Sequence, residues 1–200
     1  MHWIEVEGYR LPALLAGHPA LELCNTWAGW DEPTDPRREW LHDFDHLAVW
    51  AGHAGLLDPT VVPRLRAVAR EQHVAAHEVL TEVRSLRTAL HDVLLDPADG
   101  AAFDVVAAQA QRAAGAAVLE ADPDGVARWA PPPGIGPALP LLACATAAAD
   151  LLTSPARTQV RACPGEECGW LFVDPRGRRR WCTMAVCGNR AKVRTYASRR

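Results

Sequence analysis

At 200 residues and 49% apolar composition, the chain suits one domain of ordinary size plus a small module. No run of eighteen apolar residues occurs, and the acidic opening Met1-His2-Trp3-Ile4-Glu5-Val6-Glu7 lacks the apolar core of a signal peptide, so neither a membrane nor export is expected and the cytoplasm is the implied compartment. The net charge of −3 hides a division: residues 157–200 carry eleven Lys/Arg against three Asp/Glu, a balance of +8, while residues 1–156 carry ten against twenty-one, a balance of −11. A basic module on an acidic body points to a polyanion partner for the module alone, or to a body whose acidic face neutralises it.

Residues 3–10 read as a short strand or arm. Gly17-His18 interrupts the next apolar stretch, and a helix restarts at Pro19, a good first-turn residue. Residues 30–37 are loop. A helix over 38–54 follows from Leu41, Phe44, Leu47, Ala48 and Trp50 at three- and four-residue steps, with Gly55 as its C-cap. The longest helical signal covers residues 60–95, with Leu65, Val68, Val79, Val83, Leu86, Leu90 and Val93 in register. One straight helix there would span roughly 50 Å, so a bend or split is expected near His73–His77. That stripe reads as core; a dimeric coiled coil, and with it a homodimer, is the minor reading.

An alanine-rich helix over 101–115 comes next. Residues 116–120 and 126–129 flank Asp122-Pro123-Asp124-Gly125 as a β-hairpin. A helix over 136–152 and a short strand over 157–161 complete the body and lead into the C-terminal module. The predicted fold is therefore mainly α with a small β-hairpin: a helical N-terminal domain, residues 1–156, and a compact module, residues 157–200. Cys24 and Cys144 stand alone on apolar stretches and read as buried small hydrophobes. His73 and His77 sit at i and i+4, where two imidazoles can share a metal, but the sequence offers no third ligand and solvated histidines account for them better.

The remaining four cysteines form two pairs, Cys163…Cys168 and Cys182…Cys187, each enclosing four residues and separated by thirteen. Four thiolates at such spacing close a tetrahedron around one Zn²⁺; ordinary thiols or two disulfides are the alternatives. Four filled positions leave no open site, so such a zinc ion is structural. Gly165 and Gly169 permit tight turns, residues 169–173 read as a strand, and Asp174-Pro175-Arg176-Gly177 as a turn. Arg178–Trp181 is then expected to return as a second strand, and residues 183–199 to form a closing helix, giving a treble-clef-like Cys₄ finger.

Cys163…Cys168-Gly169-Trp170-Leu171-Phe172-Val173-Asp174, followed by Arg180-Trp181-Cys182…Cys187-Gly188-Asn189-Arg190-Ala191-Lys192, resembles the CGNR zinc finger over about forty residues. That finger commonly follows an N-terminal domain called ABATE, in proteins described as stress-induced transcription regulators of bacteria. Leu21-Glu22-Leu23-Cys24-Asn25-Thr26-Trp27 resembles the signature that opens that domain. Val186, where the family often has threonine, departs from the pattern without touching a ligand.

The resemblance implies DNA as a partner. The side chains expected to meet it are Arg176, Arg178, Arg179, Arg180, Asn189, Arg190, Lys192 and Arg194, with Asn189 and Arg190 equally suited to being held by the zinc loop. A partly apolar small-molecule pocket is expected near the N-terminal signature, built from Asn25, Thr26, Trp27, Trp30 and Trp50 with Arg84 or Arg87 as an anion partner; Asn25 reads equally as a bridge between buried main-chain groups. No phosphate-binding glycine loop, nucleophile elbow or dinucleotide fingerprint occurs, and Asp43 and Asp45 point apart on a helix. The leading reading is a sensor-regulator whose body senses a small molecule and whose finger binds DNA. The alternatives are an enzyme or ligand-binding protein with a purely structural finger, and a protein–protein adaptor.

Overall fold

The structure is a computed structural model and describes residues 2–30, 35–121 and 124–198. Its opening residues form a hairpin, β1 (Trp3–Val6) paired antiparallel with β2 (Tyr9–Pro12). Helix α1 (Pro19–Cys24) starts at Pro19 as its sequence requires, with the His18 imidazole accepting from the Ala20 amide. The next helix, α2 (Phe44–His53), begins six residues later than its periodicity suggested. Asp43 caps it by accepting from the His46 amide, and the residues ahead of it are used elsewhere: Pro36–Arg38 makes a 3₁₀ turn, and Glu39 is extended, bridging to Trp27.

The long apolar stripe splits into α3 (Val62–Glu71) and α4 (His73–Leu95) at Gln72, whose φ/ψ of −112°/47° breaks the helical ladder just ahead of the expected bend. Helix α5 (Gly100–Ala116) starts at the Asp99 cap. Strands β3 (Val118–Ala121) and β4 (Ala127–Ala130) form the expected hairpin, and α6 (Leu139–Thr153) follows. Among the described residues one helical run, Gly134–Thr153, is long and apolar enough to cross a membrane, although no unbroken apolar stretch of that length announces it; 61% of its apolar 18-residue window is buried within the fold, because α6 is the central core helix, packed against α1, α4 and α5. Cys24 and Cys144 are fully buried in this core, and burial pushes the Cys144 thiol up to about 12.

The C-terminal module departs from the predicted hairpin. Strand β6 (Leu171–Val173) pairs not with residues 178–181 but with β5 (Val160–Ala162). The Asp174 carboxylate accepts from the amides of Arg178 and Arg179 at 3.2 and 2.9 Å, which turns the chain away and occupies the donors a returning strand would need. The closing helix α7 (Asn189–Ala197) is likewise shorter than expected, because a π-turn over Met184–Gly188, capped by Thr183, precedes it.

Val160 and Leu171 of this module belong to the body core. A second buried cluster joins the four paired cysteines to Trp170 and Phe172, and Leu15 and Trp30 of the body pack against it.

Candidate metal centre and its seam with the helical body

The Sγ atoms of Cys163, Cys168, Cys182 and Cys187 all lie within 4.8 Å of one another, and all four residues are buried. Cys168 Sγ is 3.7 Å from Cys182 Sγ, which is 3.5 Å from Cys187 Sγ. A disulfide needs about 2.05 Å. A zinc tetrahedron with Zn–S bonds of about 2.3 Å has S···S edges of about 3.8 Å, so the donor set fits that ion. Its protonation chemistry agrees. Hydrogen bonds from Cys168, Cys182 and Cys187 hold the Cys163 thiol well below the usual range, while bonding to Cys163 raises Cys168 and Cys182. One thiolate thus opposes the next, and a divalent cation is what permits all four to ionise. The residues that would hold one structural zinc ion are these four.

Backbone geometry places the sulfurs. Glu167 and Gly169 adopt φ of 57° and 64°, turning the first cysteine pair back toward β6. A Cβ at Gly165 would stand 3.0 Å from Cys187 Sγ, so the two knuckles approach tightly here and a side chain would push on a metal ligand. At Gly169 a Cβ would stand 2.6 Å from Trp30 Cβ, so module and body approach closely enough here to leave no room for a side chain.

The body's side of the seam combines Asn25 and Trp27 of the N-terminal signature with Leu15, Ala16, Gly29, Trp30 and His91. Asn25 donates from Nδ2 to Leu171 O at 2.9 Å and accepts from Leu171 N at 2.8 Å, imitating a neighbouring strand on the free edge of β6. Trp170 Nε1 donates to Trp27 O at 2.8 Å. The amides of Gly29 and Trp30 donate to Cys168 O at 3.3 and 3.5 Å, so the body loop holds the carbonyl of a metal ligand. Trp30 stacks on His91 at 3.6 Å, and His91 Nε2 lies 3.1 Å from Gly169 O. Val173 N donates to Ala16 O at 2.8 Å.

This seam accounts for several residues read as ligand-binding. Asn25, Thr26, Trp50 and Arg87 are 1%, 0%, 0% and 3% exposed, and the expected pocket around them is filled. Asn25 bridges main chain, the second of its two readings. Arg87 is tied bidentately to Glu39 at 2.7 and 2.6 Å and donates to Thr26 Oγ1 at 3.0 Å. Trp27 and Trp30 are half-buried in the seam. Arg84 is 34% exposed at its side chain, donates to Leu41 O and lies 3.3 Å from Glu39. It also lines a cavity of about 350 Å³ with His42, Phe44, His73, His77 and Leu80, a lining that includes none of the other residues of the sequence-predicted pocket.

Of the residues read as meeting nucleic acid, Arg176, Arg178, Arg180, Asn189, Arg190, Lys192 and Arg194 are exposed. Arg179 is not available. Its guanidinium donates to Leu15 O at 2.7 Å and to Cys182 O, and lies over the Phe172 ring at 4.3 Å, so it staples the second knuckle to the body. Arg194 pairs with Glu166 across the finger, and Asn189 Nδ2 donates to Ala185 O at 3.3 Å.

Sequence reasoning missed Glu22, Glu39 and His91. Glu22, nearly buried, accepts from the amides of Leu15, Ala16 and Gly17; burial raises its carboxyl, with those amides opposing. A carboxylate inside an otherwise apolar helix, Leu21-Glu22-Leu23, was the available signal.

A helical body holding a four-cysteine zinc module through its first helix defines a two-module, metal-stabilised architecture. Comparison with known families matches residues 17–155 to ABATE, described as "Putative stress-induced transcription regulator", and residues 159–200 to the CGNR zinc finger. The chain belongs to the ABATE family and carries a CGNR zinc finger at its C-terminal end. No curated protein matches it.

Proposed function

We propose that the chain is a DNA-binding transcription regulator in the bacterial cytoplasm, with a sensing body over residues 1–156 and a phosphate-contacting finger over 157–200. The observation that carries this reading is the fate of the finger's cations: Arg176, Arg178, Arg180, Arg190, Lys192 and Arg194 are exposed, and among the ion pairs of the described residues only Arg194 of these six has an acidic partner. Planar guanidinium groups suit bidentate phosphate contact, and phosphate contacts position a protein without naming a sequence. Helix α7 has no fully buried residue, and Asn189, Arg190, Lys192, Val193 and Arg194 are exposed.

A small-molecule input fits the cavity beside Arg84. Arg70, the imidazoles of His42, His73 and His77 and the carboxylates of Asp43 and Asp45 surround an apolar floor of Phe44, Ala69 and Leu80, a mixed lining that suits a small polar molecule. The depth of the seam also favours a second reading, in which the finger is only a structural module of a ligand-binding body.

Salt-dependent binding to duplex DNA separates the two. With about four phosphate contacts, log K should fall with log salt at a slope near −3.6, and Arg178→Gln with Arg180→Gln should flatten it by about 1.8. Absence of binding at low salt, or binding indifferent to salt, leaves the structural reading.

A further inference from the structure

From the geometry around the metal centre, we infer that the zinc thiolates are a modification site: hydroperoxides enter a cavity at the seam and oxidise Cys182 together with Cys187 or Cys168. The cavity, about 580 Å³, lies between the two modules and is lined by Ala28 and Gly29 of the body loop and by Cys168, Cys182, Val186 and Cys187 of the finger. Cys163 is not part of its wall. Open space reaches the cysteine cluster through this cavity, which presents three of the four cysteines, while a much smaller pocket of about 40 Å³ beside Pro164–Glu166 touches Cys187 alone among them.

Two further observations narrow the chemistry. Cys182 Sγ is in contact with two neighbours, Cys187 Sγ at 3.5 Å and Cys168 Sγ at 3.7 Å, so the sulfur reached from the cavity has a resolving thiolate beside it whichever way it turns. The two other cysteines of the chain, Cys24 and Cys144, are fully buried in the body core and apart from the cluster, so they offer no competing target. The cavity wall is polar, with Arg37, Arg190, Asp35 and Glu167 on it, and Arg37 is paired with Asp35 at 3.0 Å.

The step balances. A thiolate sulfur attacks the near oxygen of hydrogen peroxide, forming an S–O bond and breaking O–O, and the hydroxide that leaves takes a proton from solvent. The second thiolate attacks the sulfenic sulfur, forming S–S and releasing a second hydroxide that is also protonated. Two thiolates lose two electrons, and the peroxide gains two and leaves as two waters. Only two donors then remain for the ion, and the site releases it. The consequence passes to the body, because Cys168 O accepts from Gly29 and Trp30, and Cys182 O accepts from Arg179, which is also bonded to Leu15.

The test uses the full-length zinc-loaded chain, hydrogen peroxide and a chromogenic zinc chelator, so it does not depend on DNA binding. We expect one zinc ion released for every two thiols lost, and peptide mapping that finds Cys182 disulfide-bonded to Cys187 or Cys168 with Cys163 still reduced. Val186→Trp, which fills the cavity without removing a ligand, should retain its zinc at rest and slow peroxide-driven release by about fivefold or more, since access governs thiolate oxidation. Zinc release without thiol loss, a disulfide that contains Cys163, or an unchanged rate in a zinc-loaded Val186→Trp would each overturn the inference. Should that variant fail to load zinc, the disulfide map of the wild-type chain decides alone.

Discussion

Asn25 shows how one amide can join two modules. It is 1% exposed, and its donor and acceptor both go to Leu171, 146 residues away. Replacement by alanine leaves a buried N–H and a buried C=O unpaired, which costs about 1–3 kcal/mol for each group. Asn25→Ala should therefore lower stability by about 2–5 kcal/mol in urea unfolding. Asn25→Asp should do no better at neutral pH, since a carboxylate can accept from Leu171 N but cannot donate to Leu171 O. Unchanged stability in both variants would remove Asn25 from the seam. The second buried residue with a measurable signature is Glu39. Burial pushes its carboxyl up, but the hydrogen bonds and charge of Arg87 outweigh this and hold it below its ordinary 4.5. A carboxyl depressed in the folded state contributes stability that is present above its unfolded value and is lost as pH falls through its folded value. Glu39→Gln leaves Arg87 buried without a counter-charge, a loss of about 3–5 kcal/mol at neutral pH. The gap between wild type and variant should hold as pH falls to about 4.5 and narrow below it, as the wild-type carboxyl protonates. Zinc loss in acid affects both proteins and cancels in that difference; a gap that widens in acid would contradict the assignment.

At the scale of elements, the seam depends on how closely β6 and its leading turn approach the body. Gly169 and Gly177 make a controlled comparison, since both have positive φ, 64° and 63°. A Cβ at Gly177 meets nothing within 4 Å, so Gly177→Ala should cost only the left-handed backbone penalty of about 1–2 kcal/mol. A Cβ at Gly169 runs into Trp30 Cβ, which sits at the root of its side chain and cannot swing aside, so Gly169→Ala should cost clearly more and disturb the stack of Trp30 on His91. Equal losses in thermal unfolding would mean that the approach relaxes freely. The same elements mark where the sequence was readable. The helices could be placed because their apolar steps and some of their start signals, such as Pro19 and Asp58-Pro59, are local, while the Asp43 cap that starts α2 went unread and its start was put six residues early. The metal ligands were readable because their spacing is itself the signal. The partner of β6 was not, because a single carboxylate, Asp174, decides whether the chain returns as a strand or turns away. The role of the signature was not readable either: nothing local in Asn25-Thr26-Trp27 distinguishes an amide facing a ligand from one facing a strand far along the chain.

For the whole molecule, the body core and the zinc cluster are neighbours with shared members rather than independent units. Val160 and Leu171 belong to the body core, Leu15 and Trp30 pack on the cysteine cluster, and Arg157 donates to Val93 O at 3.0 Å. The charge division of +8 on −11 acts in the same sense, by long-range attraction between module and body. Folding of the finger is expected to be coupled to the ion, since binding energy in such modules is also folding energy. These facts together predict the outcome of metal removal. An ion bound only by the folded state stabilises it by RT ln(1 + [Zn]/Kd), about 1.4 kcal/mol for each tenfold excess of free ion over Kd. If the seam couples the modules, that linkage acts on the whole chain. Calorimetry of the zinc-loaded protein should show one transition, and chelation should move it to lower temperature, leaving no transition at the original position. Hydrogen exchange after chelation should rise at the amides of Gly29, Trp30 and Leu171 as well as within the finger, while α6 stays protected. Two transitions, with the upper one indifferent to chelator, would instead describe a body that folds alone and carries the finger without support from it.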